Sequence, residues 1–237
     1  MTTISSSPVS ALLATSLDII SLHQQPNGAY AASPEFSAYR GYCWFRDGAF
    51  IADGASSAGE IESASAFFGW CAATIERYAG TIEMIVDAAA EGTPVATEHM
   101  LPARFTMDGH LGGDDWWDFQ LDGYGTWLWA AVQHANRHDL DLTEWRRAAE
   151  LTVDYLLSSW ARPCYDWWEE HQEQVHVSTL GCVGAGLQAA IDSGLADGDR
   201  AVAASNVITE IRALIDERGI SDGHLVKWLD SSDVDGS

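Results

Sequence analysis

The stretch CYDWWEEHQEQVHV, residues 164–177, decides how the fold is interpreted. It is irregular, aromatic and acidic, and it separates two segments with helical periodicity. The first helix is expected over residues 143–161 and ends ahead of Pro163, because proline cannot continue a helix. The second is expected over residues 178–193 and includes GCVGAG, whose small residues indicate close helix packing rather than a phosphate loop. The stretch is therefore predicted to be a long loop on a helical scaffold.

The same alternation of helices and aromatic loops extends over the whole chain. Apolar residues at helical spacing between Val9 and Ile20 predict a first helix, with Ser7 as N-cap and Pro8 at its first position. Further helices are expected over residues 47–56, 60–78, 81–90, 123–137 and 199–218. The irregular stretches are residues 29–46 and 98–122, and residues 224–237 leave room for a short strand. The pattern predicts one all-α domain over residues 1–237, with about seven helices and with functional loops.

Composition narrows the classes of partner. The chain has 237 residues, 47% of them hydrophobic, and a formal net charge of −23. A surface this acidic repels nucleic acid and anionic lipid, so neither is an expected partner. A neutral substrate such as a sugar is compatible with this charge, although the charge alone indicates no more than solubility or a salt-rich habitat.

Cysteines and the N-terminal segment indicate the compartment. The four cysteines form no CxxC pair, which favours reduced and mostly buried thiols. The start of the chain lacks a basic region, Asp18 interrupts its apolar run, and no apolar run reaches 18 residues. We therefore expect a cytoplasmic protein without a membrane-spanning helix.

Three loop clusters combine tryptophan or tyrosine with carboxylates. They are YRGYCWFRDGAF (residues 39–50), DDWWDFQLDG (residues 114–123) and YDWWEEHQE (residues 165–173). Indoles stack on the apolar faces of sugar rings, and carboxylate or guanidinium groups bind the hydroxyls. Glycoside hydrolysis needs two carboxyl groups, one of them with a raised pKa, and burial beside Trp167 and Trp168 would raise a pKa in this way.

Each cluster also has a structural explanation. A Trp-Arg-Asp group is often a buried ion pair under an aromatic ring, and Glu169-Glu170 is typical of a solvated helix start. The acids at Asp114 and Asp115 fit a solvated turn, or a cation site completed by Asp118. His171 and His176 lack the spacing of a helical zinc pair, and the chain contains no GxSxG, GxxxxGK[ST] or GxGxxG motif.

Taken together, the clusters resemble the conserved regions of glycoside hydrolase family 15, which contains glucoamylases, glucodextranases and bacterial trehalases. The similarity lies in YCWFRD (residues 42–47), WWDFQLDG (residues 116–123) and YDWWEE (residues 165–170), in the same order and with similar spacing. The resemblance implies an (α/α)6 toroid that releases β-glucose from non-reducing ends of α-linked glucosides with inversion. It implies no cofactor and no metal, because carboxyl groups suffice for this chemistry.

The resemblance also implies roles for single residues. Glu169 would be the general acid, and Asp166 would support it. Arg46 and Asp47 would bind the hydroxyls of the terminal glucose, and Glu170 would bind the next sugar unit. The full set of residues implied to bind the substrate or brace its site is Tyr42, Trp44, Arg46, Asp47, Trp116, Gln120, Asp122, Asp166, Trp168 and Glu170.

The general base has no counterpart in this sequence. About seven helices stand against the twelve of the family's toroid, so the resemblance implies the N-terminal part of a catalytic domain. The expected partners are a glucoside and either a second copy of the chain or a C-terminal half. Two alternatives to a working hydrolase stay open: a non-catalytic carbohydrate-binding remnant and one half of a split hydrolase. A third is a structural protein that keeps only the helical scaffold.

Overall fold

A computed structural model describes residues 8–116 and 118–234. The expected N-cap Ser7 and the cluster residue Trp117 lie outside these described residues. Within them the chain is mainly helical and contains eight α-helices. These are α1 (Pro8–His23), α2 (Phe45–Ala58), α3 (Ile61–Arg77), α4 (Ala79–Ala90), α5 (Asp122–His138), α6 (Arg146–Ser159), α7 (Val177–Asp192) and α8 (Gly198–Arg218).

Each helix expected from periodicity is present, and the ends differ by a few residues. The prediction for residues 143–161 was too long at the start, because Thr143–Trp145 forms a 3₁₀ turn ahead of α6. Prediction missed the pairing of β1 (Tyr42–Trp44) with β2 (Arg104–Thr106), an antiparallel ladder with Trp44 opposite Arg104. The strand anticipated near the C-terminus is β4 (His224–Leu225), which pairs with β3 (Ile220–Ser221).

The helices form two rows. Helices α2, α5 and α7 pack side by side with α5 in the middle, and α3, α4, α6 and α8 lie behind them. The three helices of the first row begin next to one another. Arg46 in the first turn of α2 hydrogen-bonds Asp122 at the start of α5, and the Tyr165 N–H of the loop before α7 donates to the Phe119 carbonyl oxygen. The loops that precede these helices are the three aromatic clusters, so packing brings the clusters together.

Two glycines set the distance between α5 and α7. A Cβ atom added to Gly125 would lie 2.3 Å from the Cys182 carbonyl oxygen, and one added to Gly186 would lie 2.4 Å from the Gly125 carbonyl oxygen. The backbones of the two helices are therefore in direct contact, which only glycine allows at these positions. This confirms that GCVGAG in α7 serves helix packing.

An aromatic core lies beneath the ends of the first row. The buried ring of Phe45 stacks on Phe105 with centroids 5.1 Å apart, and it meets Tyr124 edge-on at 5.3 Å. Three of the four cysteines are buried and all four are free thiols, as predicted. Burial raises the pKa of each thiol. This core fixes where α2 begins relative to β2 and α5.

Helix α1 differs from the others because its apolar residues face outward. Val9 is 75% exposed and Leu22 is 77% exposed, and Leu12 is also exposed. The helical spacing of these residues was predicted correctly, whereas their exposure is a finding of the structure. Among residues 8–116 and 118–234, no helix is long and apolar enough to cross a membrane.

Candidate active site

A pocket of about 350 Å³ opens where α2 begins and where the loop before α7 folds over it. It brings together side chains from two of the three aromatic clusters. The residues that line it are Ala32, Tyr39, Trp44, Arg46, Asp47, Trp167, Trp168 and Glu169. Five of the predicted site residues, namely Trp44, Arg46, Asp47, Trp168 and Glu169, thus line a single pocket.

The guanidinium group of Arg46 is hydrogen-bonded to two buried side chains. It donates to Asp122 Oδ2 at 3.0 Å and to the side-chain oxygen of Gln120, and both partners are fully buried. Burial raises the pKa of Asp122, and the adjacent Arg46 acts in the opposite direction. Gln120 and Asp122 therefore lie behind the pocket, where they fix the orientation of Arg46.

Asp47 lies on the open side of the same guanidinium group. Its Oδ2 is 3.3 Å from Arg46 Nη2, and its side chain is 47% exposed. The pair therefore presents one donor group and one acceptor group to the pocket. Such a combination is suited to vicinal hydroxyls, which both donate and accept hydrogen bonds.

Asp166 organises the loop that carries Glu169. Its Oδ1 accepts the backbone N–H groups of Trp168 at 3.1 Å and Glu170 at 3.2 Å, and its own carbonyl oxygen accepts the N–H of Glu169 at 3.1 Å. The backbone at Glu169 is left-handed, with φ of 58°, a conformation that is uncommon for a residue with a side chain. The hydrogen bonds around Asp166 hold the loop in this conformation.

Glu169 is a half-buried carboxyl group with a raised pKa. Burial raises the pKa, and the Gln120 amide, the Arg46 guanidinium and the Trp44 indole act in the opposite direction. Gln120 Nε2 lies 3.4 Å from Glu169 Oε1. A raised pKa keeps the proton on the carboxyl at higher pH, which is the property that a general acid requires.

Two residues contact Asp166 in the acid loop, which is the loop between α6 and α7 that carries Glu169. Nothing in the sequence indicated Lys227, and His176 was considered there only as a zinc ligand. Asp166 is fully buried, and its Oδ2 is 3.6 Å from both His176 Nδ1 and Lys227 Nζ. Lys227 also donates to Glu170 Oε2 at 2.6 Å. Glu170 therefore points to a lysine that lies 57 residues further along the chain. No motif or spacing marks this lysine, although it is the only one in the sequence.

Arg104, a residue that the sequence analysis overlooked, organises the second cluster. It forms ion pairs with Asp114 and Asp118, and its guanidinium group lies over the ring of Tyr42 at 4.1 Å. Two of the acids considered as a turn or a cation site, Asp114 and Asp118, therefore pair with an arginine of the same chain. In the described part of the chain, no group of three or more His, Cys, Asp or Glu residues is arranged to hold a metal ion.

Tyr42 and Trp116 belong to this Arg104 cluster and do not line the pocket. The Tyr42 hydroxyl donates to Asp114 Oδ2 at 3.0 Å, and the Arg104 guanidinium lies 5.3 Å from the ring of Trp116. Trp116 meets the pocket-lining Tyr39 edge-on, with centroids 5.8 Å apart. The cluster thus forms one flank of the pocket, with the partly exposed Trp116 at its edge.

Comparison with known proteins gives a consistent picture. The sequence profile described as Glycosyl hydrolases family 15 matches residues 9–220. The isomaltose glucohydrolase of Kribbella flavida is 51% identical over 220 residues, which are 92% of this chain and 57% of that protein. The chain therefore spans little more than half the length of this relative.

Solved structures agree with the sequence comparison. A glycosidase variant in complex with glucose has a TM-score of 0.92 and 50% identity, covering 95% of this chain and 61% of that one. The glucoamylase from Saccharomycopsis fibuligera has a TM-score of 0.70 at 18% identity, covering 94% of this chain and 53% of that one. This second match is a likeness of fold alone.

Proposed function

Because the chain belongs to glycosyl hydrolase family 15 and has its (α/α)6 toroid type of all-α fold, we propose that it forms part of a hydrolase of α-linked glucosides. The enzyme releases glucose from the non-reducing end with inversion, and Glu169 is its general acid. The observation that carries this proposal is the pocket in which Glu169, with its raised pKa, faces the Arg46–Asp47 pair.

Binding of the terminal glucose uses the groups at the start of α2. Arg46 and Asp47 bind its hydroxyls, and Trp44 provides an apolar wall for the ring. Gln120 and Asp122 contribute indirectly because they hold Arg46 in place. A sugar that is bound in this way is oriented before the reaction begins, which removes much of the entropic barrier.

Catalysis uses the acid loop. Glu169 gives its proton to the glycosidic oxygen, the bond to the anomeric carbon breaks, and the leaving sugar departs with the proton. In an inverting enzyme a second carboxylate, typically about 6.5–9.5 Å from the acid, activates a water molecule on the opposite face of the ring. We propose that this base lies in the part of the catalytic domain that the relatives have outside the region they share with this chain.

Isomaltose is the first substrate to test, since the relative from Kribbella flavida is named an isomaltose glucohydrolase. Maltose and trehalose present the same terminal glucose to Arg46 and Asp47. Contacts beyond the first sugar unit distinguish these linkages, and Glu170 is the residue of this chain that we assign to them. The oligosaccharide is neutral, which suits a protein with a net charge of −23.

A second candidate function is sugar binding without hydrolysis, either as a remnant or as one half of a split enzyme. It is favoured because the groups that would bind the terminal glucose line a pocket of this chain, whereas the chain covers only 57% of its relative and the base is proposed to lie elsewhere. This candidate keeps the roles of Arg46, Asp47 and Trp44 and removes only the reaction. The two functions therefore agree on glucose binding and differ in glucose release.

A chimera tests the proposal. The chain replaces the matched segment of the Kribbella flavida enzyme, so that the relative supplies the remainder of the domain. We expect the chimera to release glucose from isomaltose and to lose this activity in Asp47→Asn. Asp230→Asn, which removes the acidic partner of another Asp–Arg ion pair outside the pocket, is the matched control. A chimera that melts cooperatively and releases no glucose would leave the chain as a binding module only. Activity that Asp47→Asn leaves intact would refute the assigned pocket.

A further inference from the structure

Lys227 contacts the acid loop, although it lies 57 residues from Glu170 in the sequence. It is the only lysine among 237 residues, and it lies in the short segment that follows β4. Its ammonium group is 2.6 Å from Glu170 Oε2 and 3.6 Å from Asp166 Oδ2, and its side chain is only 15% exposed. One cation therefore contacts two of the four carboxyl groups in the acid loop.

The backbone around Lys227 is anchored to the start of α7. Its carbonyl oxygen accepts the N–H of Val177 at 3.2 Å, and its own N–H donates to the Asp233 carbonyl oxygen at 2.8 Å. Two residues further on, the N–H of Leu229 donates to the Val175 carbonyl oxygen at 3.0 Å. The segment thus pairs with the end of the acid loop, and the lysine is presented from a fixed backbone.

We propose that Lys227 is a positioning residue that holds Glu170 toward the sugar unit beyond the scissile bond and so determines the affinity for that unit. The inference rests on the proposed function, since it assumes that Glu170 contacts the leaving sugar. When an ammonium group binds one oxygen of a carboxylate, the orientation of the other oxygen is also fixed. Less entropy is then lost when a sugar hydroxyl binds to that second oxygen.

The contacts separate this role from that of the acid. Lys227 binds Glu170 directly, whereas burial, Gln120, Arg46 and Trp44 are the leading influences on the pKa of Glu169. The longer contact of Lys227 is with Asp166 Oδ2, whereas the loop backbone is held by Asp166 Oδ1. Lys227 is therefore expected to act on binding of the second sugar unit and to leave binding of the first unit unchanged. Free glucose occupies only the binding position of the first sugar unit, so its affinity serves as the internal reference.

The experiment compares glucose with isomaltose. In the 237-residue chain carrying Glu169→Gln, so that no sugar is consumed, the dissociation constants of both are measured by titration calorimetry. We expect Lys227→Met to raise the constant for isomaltose roughly tenfold and to change that for glucose by less than about twofold. Lys227→Arg keeps the charge and is expected to restore most of the isomaltose affinity.

Lys227→Gln provides a second route to the same answer if Lys227→Met does not fold. It removes the ion pair while leaving the Glu170 carboxylate, which is 55% exposed, in place, and the same selective loss of isomaltose affinity is expected. Parallel loss of both sugars in the folded variants, or no loss of either, would overturn the role of Lys227 and leave the proposed function standing. A folded chain that binds neither sugar would overturn both.

Discussion

Replacing Gly186 by alanine tests whether the contact between α5 and α7 positions the site. The new Cβ would lie 2.4 Å from the Gly125 carbonyl oxygen, where ordinary contacts begin near 3.4 Å, so the two helices must separate by about 1 Å. Overpacking of this kind typically reduces the free energy of unfolding by about 1–3 kcal/mol. Because α5 follows Gln120 and α7 follows the acid loop, the same shift also moves Glu169 relative to Gln120.

Gly184→Ala is the matched control in the same helix. The nearest atom to its new Cβ is Ile211 Cγ2 at 3.9 Å, which is an ordinary contact. Alanine is the better helix former, so this variant is expected to gain about 0.5–1 kcal/mol. Urea unfolding followed by tryptophan fluorescence measures both variants. Equal stabilisation by the two alanines would show that the helices are not in backbone contact and would refute the packing argument.

Three further predictions concern the buried polar groups. Burial lowers the pKa of His134 from 6.5 to about 4. The folded chain therefore loses about 2–3 kcal/mol of stability as the pH falls between these values, and His134→Asn makes urea unfolding less dependent on pH in that window. Arg104→Met leaves Asp118 without its ion pair and is expected to lower the free energy of unfolding by about 3 kcal/mol. Adding Asp118→Asn is expected to restore part of that stability. An unchanged midpoint of urea unfolding in Arg104→Met would contradict this. Ellman's reagent at pH 8 is expected to label all four thiols quickly in urea, and to label the three buried thiols slowly in the folded chain. Rapid labelling of more than one thiol in the folded chain would contradict this burial.

The helices were predictable because each has apolar residues at helical spacing in the sequence. Starts and ends were less accurate where capping lacks a side chain signal, as at Trp44 before α2. The β1–β2 ladder could not be predicted, since three-residue strands are too short to show alternation and their partners are about 60 residues apart. For α1, the period predicted the apolar stripe, and only the structure showed that described residues leave it uncovered.

The residues of the candidate site were also predicted only in part. The resemblance supplied Trp44, Arg46, Asp47 and Glu169, and the structure brings them into one pocket, while their roles stay predictions. It did not indicate that Tyr42 and Trp116 flank the pocket through Arg104.

Arg104 and Lys227 were missed because each is a single charged residue that no motif marks, and His176 was considered only as a zinc ligand. They reach the site through tertiary contacts that no local pattern encodes. Two signals were present in the sequence. Asp114 and Asp118 were candidates for pairing with a cation, and the one lysine of a chain with 35 acidic residues was a candidate for a buried ion pair.

The role of Glu169 as general acid is tested most directly with two substrates of different leaving group. In the chimera, Glu169→Gln is compared with the parent on isomaltose and on α-glucosyl fluoride, whose fluoride leaves without a proton. We predict a loss of about 10²–10⁴-fold in kcat on isomaltose and a far smaller loss on the fluoride. Equal losses on both substrates, or unchanged turnover of isomaltose, would contradict this prediction.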